Sequence, residues 1–106
     1  DAPSRGFDCS GFTCYVMRSA NISLPRTSHE QAKLGQKKRV SEVETGDLIF
    51  FGHGSRVTHV AIVLGRGRNR IDVVHSTSSR GVVRDNILGS EYWRNRTLWA
   101  IDLSDL

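Results

Sequence analysis

The order of two patterns along the chain constrains the fold more than any other feature. Helix signals occupy the first third, where Phe12, Val16 and Ala20 form an apolar stripe at helical spacing. Short β-type runs separated by glycines follow, with no helix pattern between them. These runs are, in chain order, 48–51, 59–64, 71–75, 82–84 and 98–103. Helices first and strands afterwards predict an α+β domain, in which N-terminal helices pack on an antiparallel sheet or small barrel.

The length of 106 residues suits one hydrophobic core, so we expect a single domain over residues 1–106. Hydrophobic residues make up 38% of the chain and charged residues 25%, a globular composition that excludes a largely disordered chain. The longest apolar run, 60–64, is far shorter than a membrane-spanning helix requires. We therefore expect no membrane span.

The 15 basic residues against 11 acidic residues give the chain a net charge of +4. Such a surface favours anionic partners, which include nucleic acid, acidic phospholipid and the anionic polymers of a bacterial envelope. The arginines are scattered from Arg5 to Arg96, without a stripe on one helix face or a usual nucleic-acid-binding motif. We therefore expect no nucleic-acid partner.

Cys9 is the strongest candidate for a reactive side chain. It is predicted at the first position of a helix, directly after the N-cap residue Asp8. Unpaired backbone N–H groups and the helix dipole stabilise an anion there, so we expect a thiolate with a lowered pKa. The alternative is a small buried hydrophobic residue, which is what we expect of Cys14. A disulfide between the two is not expected, because their spacing on a helix places the side chains beyond disulfide reach.

His59 and His75 are the candidate partners of the cysteine. Each lies in a predicted strand, and the glycine-rich turn between them is centred on Gly67. A hairpin folded about that centre makes the two histidines direct cross-strand neighbours on one sheet face. Together with a cysteine at a helix start, they indicate a nucleophile, a base and an orienting group. His29 and His53 are expected on the surface.

Five segments, in order, resemble the motifs of the NlpC family of papain-like cysteine peptidases, which trim bacterial cell-wall peptides. They are FDCSGF at 7–12, LPRTS at 24–28, TGDLIFF at 45–51, HVAI at 59–62 and HSTS at 75–78. The similarity continues to Tyr92 and Trp93. The chain differs from the family pattern at Thr45, where proline is common, and at Ala61, where glycine is common.

The resemblance implies a papain-like α+β fold with Cys9 as the nucleophile, His59 as its base and His75 as the residue that orients the base. Asp8, Ser10 and Arg26 are the expected substrate contacts. Neither a metal nor another cofactor is implied. The implied substrate is the stem peptide of peptidoglycan, which family members often cleave between D-glutamate and diaminopimelate through the γ-amide. Other members cut crosslinks or act as amidases.

The resemblance also implies a location in the periplasm or elsewhere in the cell envelope, outside the cytoplasm. We expect a monomer whose parent chain carries a further upstream segment with the family's usual active-site tyrosine. A signal or lipid anchor is expected in that parent chain as well.

Two other functions stay open at the level of sequence. Cysteine and histidine are ordinary zinc ligands, so Cys9, His59 and His75 could hold zinc, although a structural zinc site needs a fourth ligand. The same fold could also serve as an envelope-binding module with impaired catalysis.

Overall fold

The computed structural model describes residues 8–104, which form three short α-helices and six β-strands. The helices are α1 (Cys9–Arg18), α2 (Ser28–Gln31) and α3 (Glu91–Arg94), and two turns of 3-10 helix cover Val40–Glu42 and Ile87–Gly89. The strands are β1 (Gln36–Lys38), β2 (Leu48–His53), β3 (Arg56–Gly67), β4 (Arg70–Thr77), β5 (Gly81–Asn86) and β6 (Thr97–Asp102). Every strand after β1 coincides with a predicted β-type run. β1 lies outside them because its sequence, QKK, contains no apolar residue.

All strand pairs in the described residues are antiparallel, and the strands form one open sheet in the order β1-β6-β2-β3-β4-β5. The predicted α+β class is confirmed. Of the two predicted forms, the sheet is found rather than the closed barrel. β6, the last strand, lies inside the sheet and pairs with both β1 and β2, so the first and last strands are neighbours.

α1 begins where the sequence predicts, and it packs on one face of the sheet. The Asp8 carboxylate accepts a hydrogen bond of 2.7 Å from the Gly11 N–H and so caps the helix. Phe12 and Met17 are buried from the helix side, in a cluster that includes Val60 of β3. Burial of these apolar side chains, rather than the short helix itself, stabilises the position of α1. Ala20, the last residue of the predicted stripe, is exposed because the helix ends at Arg18.

The opposite face of the sheet carries a second buried cluster, so both faces are covered. Val63 and Val73, from β3 and β4, lie at its centre. The 3-10 turn at Ile87 covers this face, and Trp93 of α3 packs against its edge.

A β-bulge fixes the register of the β3–β4 hairpin. On the turn side, Gly65 pairs with Asp72, whereas on the far side Val63 pairs with Val73. Leu64 is therefore an extra residue on β3, opposite none on β4. The bulge shifts the pairing by one residue between the turn and the far part of the hairpin.

This register corrects the predicted pairing of the histidines. The turn lies between Gly67 and Arg70 rather than being centred on Gly67, which alone would put the two histidines three residues out of step, and the bulge reduces that offset by one. His59 and His75 are consequently two residues out of step instead of directly opposite. Because side chains alternate with a period of two, an offset of two keeps both rings on the same face, and the predicted shared face is confirmed.

β3 and β4 separate beyond the pair formed by Ile62 and Val74, where their ladder ends. From there His59 pairs with Phe51 of β2, while His75 pairs with Val83 of β5. α1 contacts both diverging strands. The separation opens a cleft at the N-terminus of α1.

Candidate active site

Cys9 and His59 border one cleft at the point where β3 and β4 separate. The cavity there measures about 510 Å³ and is lined by Asp8, Cys9, Thr58, His59, Ser76, Thr77 and Ser78. Cys9 reaches it from the first turn of α1, and His59 reaches it from β3. The fold therefore brings together two residues separated by fifty positions of sequence, and His75 lies buried next to His59.

The electrostatics of Cys9 differ from the expectation. Burial raises the pKa of the Cys9 thiol above its ordinary value of 9.0, and the Asp8 carboxylate adds to the rise. Backbone groups of Val60, Ser10 and Cys9 itself lower the pKa without cancelling burial. The expected thiolate is therefore wrong for this structure, because loss of hydration outweighs the helix N-terminus. Cys9 is a neutral thiol near neutral pH.

A chain of hydrogen bonds runs from His59 through His75 to Asp85. His59 Nε2 lies 2.8 Å from His75 Nδ1, and His75 Nε2 lies 2.7 Å from Asp85 Oδ2. His75 is fully buried, so both ring nitrogens need partners, and the chain supplies one for each. Arg80 closes the far end, with Nη2 2.6 Å from Asp85 Oδ2.

Aromatic rings cover His59 and shift its protonation. Trp93 stacks on the imidazole, with ring centroids 4.9 Å apart and an interplanar angle of 26°. Burial lowers the pKa of His59 to about 3, and His75 contributes to the shift. Burial also lowers the pKa of His75, against the opposing effect of Asp85. Both imidazoles are neutral near neutral pH, and a neutral imidazole can accept a proton from a thiol.

The three expected substrate contacts form one cluster beside the cysteine. Arg26 Nη1 donates to Ser10 Oγ at 3.0 Å, and Arg26 Nη2 lies 3.1 Å from Asp8 Oδ1. Partial burial raises the pKa of Asp8, but the Gly11 N–H and the Arg26 guanidinium outweigh burial and leave that pKa lowered. Asp8 is therefore an ionised carboxylate at the mouth of the cleft.

Gly11 leaves the space that this cluster occupies. A Cβ atom at Gly11 would lie 2.7 Å from Asp8 Oδ1 and 3.2 Å from Arg26 Nη2. A side chain at this position would therefore push the Asp8 carboxylate out of its capping position.

Cys14 has polar neighbours, which corrects its interpretation as a simple hydrophobic residue. Its Sγ donates to the Pro25 carbonyl oxygen at 3.2 Å and accepts from Gln31 Nε2 at 3.5 Å. Both cysteines are free, so the expected absence of a disulfide between Cys9 and Cys14 agrees with the structure. Cys14 anchors the segment after α1 to the helix. His29 and His53 are exposed, as predicted.

A larger groove continues from the cleft on the other side of His59. Its volume is about 710 Å³, and it shares Thr58, His59, Thr77 and Ser78 with the cysteine cleft. Arg80 and Arg96 line its far part. Because His59 lines both cavities, together they suit a peptide bound on both sides of a bond near His59.

The zinc hypothesis receives no support from residues 8–104, where no group of three or more His, Cys, Asp or Glu side chains is arranged to hold a metal ion. His59 Nε2 and His75 Nδ1 are hydrogen-bonded to each other, so these two nitrogens are not directed at a shared ion.

Sequence reasoning missed two residues next to the histidines, Asp85 and Trp93. Asp85 pairs with Val73 and His75 pairs with Val83, so Asp85 and His75 are diagonal neighbours on one sheet face. The available signal was a carboxylate at the end of the run 82–84, but its face depends on a register that the sequence does not reveal. Trp93 reaches His59 from α3, which has no regular apolar pattern.

The sequence is similar to bacterial cell-wall hydrolases of one family. The NlpC/P60 family pattern matches residues 2–102. The chain is 45% identical over 84 residues to a probable endopeptidase p60 of Listeria seeligeri and 38% identical over 104 residues to a gamma-DL-glutamyl hydrolase of Bacillus subtilis. It is 36% identical over 93 residues to MepS of Escherichia coli, a murein DD-endopeptidase and LD-carboxypeptidase. These matches cover 79%, 94% and 87% of this chain but 15%, 24% and 47% of the relatives, so the chain spans less than half of each.

Solved structures agree with the sequence matches. An NlpC/P60 family protein of Bacillus cereus superposes with a TM-score of 0.80 at 34% identity, over 92% of this chain and 32% of that one. RipD of Mycobacterium tuberculosis, a non-catalytic NlpC/p60 domain protein adapted to peptidoglycan binding, superposes with a TM-score of 0.70 at 27% identity, over 92% and 67% of the two chains. The match along nearly the whole length and the shared fold confirm the resemblance drawn from the motifs, and the chain belongs to the NlpC/P60 family of cell-wall cysteine peptidases.

Proposed function

We propose that this domain hydrolyses amide bonds in the stem peptides of peptidoglycan, with Cys9 as the nucleophile, His59 as the base and His75 as the residue that orients the base. One observation carries the proposal: Cys9 and a neutral His59 border the same cleft, and His59 is hydrogen-bonded to the buried His75. Membership of a family of cell-wall cysteine peptidases supports it.

The proposed reaction has two steps. The Cys9 sulfur attacks the amide carbonyl carbon while its proton passes to His59, and His59 gives that proton to the leaving amine as the C–N bond breaks. Water then attacks the resulting thioester, with His59 as base, which releases the carboxylic acid and restores the thiol. Because thiol and imidazole are both neutral beforehand, proton transfer accompanies the attack. In this reaction the Cys9 backbone N–H, at the start of α1, stabilises the oxyanion.

The bond that we propose as substrate joins D-glutamate, through its γ-carboxyl group, to diaminopimelate. A relative that is a gamma-DL-glutamyl hydrolase supports this choice. Arg96 in the groove suits a free carboxylate that a stem peptide carries beside that bond, whereas Arg80 is already paired with Asp85. MepS is a murein DD-endopeptidase, so the competing specificity is for a DD bond, for which a D-alanyl crosslink serves as the test substrate.

Substrate and location are linked, because stem peptides lie outside the cytoplasmic membrane. We infer an extracytoplasmic position in the cell envelope, with peptidoglycan as the partner and no nucleic acid. Across residues 8–104 there is no helix with the length and apolarity to cross a bilayer.

The competing function is an envelope-binding module without turnover. The raised pKa of the Cys9 thiol favours it, since a neutral thiol is a weak nucleophile. The structural likeness to the non-catalytic RipD also favours it.

The test uses two synthetic substrates, a γ-D-glutamyl-diaminopimelate stem peptide and a D-alanyl-diaminopimelate crosslinked dimer, with products identified by mass spectrometry. We expect cleavage of the first, and Cys9→Ala to lower the rate at least about 1,000-fold because the nucleophile is lost. Cys14→Ala is the matched control and should stay within about threefold of the wild type.

The outcomes separate the two functions. Equal rates for the wild type and Cys9→Ala would remove Cys9 from the reaction. Binding of the stem peptide by calorimetry, with no product from either substrate, would establish the binding module instead. Cleavage of the crosslinked dimer alone would keep the peptidase and replace the proposed bond.

A further inference from the structure

We propose that Asp85, held in place by Arg80, is a positioning residue that fixes the tautomers of His75 and His59, so that His59 Nδ1 is the atom that accepts the Cys9 proton. The inference rests on the proposed function and adds to it a residue beyond the cysteine and the two histidines. It is carried by the hydrogen-bond chain and by the charge of the groups at its end.

Asp85 is an ionised carboxylate at the end of the hydrogen-bond chain. Arg80 holds both carboxylate oxygens, with Nη2 2.6 Å from Oδ2 and Nη1 3.3 Å from Oδ1. Partial burial raises the pKa of Asp85, but the Arg80 guanidinium and His75 outweigh burial and leave that pKa lowered. An ionised carboxylate has no proton to give and only accepts hydrogen bonds.

The charge of Asp85 fixes which ring nitrogens of His75 and His59 carry protons. Because Asp85 only accepts, the short contact of 2.7 Å requires the proton of His75 to lie on Nε2. Neutral His75 then carries a lone pair on Nδ1, which accepts from His59 Nε2–H across 2.8 Å. Neutral His59 is left with its lone pair on Nδ1. That nitrogen is therefore ready to take a proton.

The opposite tautomers would block the reaction. A proton on His75 Nδ1 would make His59 Nε2 the acceptor and would put the His59 proton on Nδ1, which could then take nothing from Cys9. It would also set the His75 Nε2 lone pair against the Asp85 carboxylate at 2.7 Å. A hydrogen bond to a charged group favours one tautomer over the other by about 10- to 100-fold, so Asp85 strongly selects the productive set.

The sheet offers a matched control for an aspartate that is merely an ion-pair partner. Asp72 on β4 is held by Arg70 in the same two-point manner, at 2.7 Å and 3.1 Å. It contacts neither histidine in the described hydrogen bonds, and it lies outside both the cleft and the groove.

The direct test is the nitrogen-15 NMR spectrum of the wild-type imidazoles, which distinguishes protonated from unprotonated ring nitrogens. We expect protons on Nε2 of both His59 and His75 near neutral pH. A proton on His59 Nδ1 would overturn the proposal. This measurement needs no substrate and no mutation, so it decides the matter even if the domain hydrolyses nothing.

The second test compares Asp85→Asn with Asp72→Asn. The carboxamide of Asp85→Asn can either donate or accept, so we expect mixed His59 tautomers and a kcat lowered about 10- to 100-fold, with KM within about twofold. Asp72→Asn should match the wild type in spectrum and rate. Unchanged His59 tautomers in a folded Asp85→Asn variant would overturn the proposal, as would an equal loss of activity in Asp72→Asn.

Discussion

Burial changes the pKa values of Cys9 and His59, the proposed nucleophile and base, in opposite directions. It raises the pKa of the Cys9 thiol, and it lowers the pKa of His59 to about 3. Each shift disfavours a charge, so a thiolate–imidazolium pair is not the stable resting form of this structure. Cysteine chemistry must therefore create both charges together, next to each other, during attack.

The pH dependence of alkylation tests this resting form. In a Cys14→Ser background, the rate of Cys9 modification by iodoacetamide should rise about tenfold per pH unit between about pH 6 and pH 8, because only the thiolate reacts. Mass spectrometry of the modified peptide gives the rate.

A different pH profile would contradict this prediction. Fast labelling that is constant below about pH 6 and is lost in His59→Ala would show a preformed ion pair. The control is the same titration of the Cys9→Ser variant, in which the remaining signal belongs to Cys14.

At the scale of elements, one buried side chain of α2 adds polar contacts to the apolar packing of α1. Gln31 is fully buried, and its Nε2 donates to the carbonyl oxygens of Pro25 at 2.9 Å and Ser10 at 3.2 Å. Its Oε1 accepts from Thr13 Oγ1 at 2.9 Å. One amide thus links the first turns of α1, the segment before α2 and α2 itself.

Replacing this amide should loosen the turn that carries the cysteine. Gln31→Leu keeps the approximate volume but leaves buried carbonyl oxygens without their donor, and we expect it to lower the free energy of unfolding by about 1–3 kcal/mol. Urea denaturation measures the change. Glu30→Gln, at the exposed neighbouring position, should stay within about 0.5 kcal/mol of the wild type. Equal stability of the two variants would contradict a role for the buried amide.

The sequence allows the elements to be predicted better than their registration. The N-cap residue Asp8 predicts the start of α1, and the apolar runs 48–51 and 59–64 predict β2 and β3, because these signals depend only on neighbouring residues. The offset of His59 and His75 depends on a bulge at Leu64, and both faces of β3 are apolar, so periodicity does not place it. The contact between Asp85 and His75 could not be predicted for the same reason, since the face on which Asp85 lies follows from the pairing of β5 with β4.

At the scale of the whole molecule, the two buried histidines make stability depend on pH. The unfolded chain binds a proton on His59 near pH 6.5, whereas the folded form binds it only near pH 3. The unfolded state therefore holds more protons between these values, and stability falls as the pH falls.

The slope of stability against pH tests this linkage. Between about pH 6.5 and pH 5, where carboxylates stay ionised in both states, His59 should contribute a loss of up to about 1.4 kcal/mol per pH unit. Urea denaturation at several pH values measures it. His59→Gln should flatten the slope and His53→Gln, at an exposed position, should not. The same slope in all three proteins would contradict the prediction.

The extra residue at Leu64 gives the hairpin unequal tolerance to changes in chain length. Loss of Leu64 itself would leave Val63 opposite Val73 and the His59–His75 pair undisturbed. Loss of one residue between His59 and Val63 would instead turn the imidazole to the other face of the sheet, away from His75. Among homologous domains, insertions and deletions should therefore be found at the tip of this hairpin and be rare between His59 and Val63.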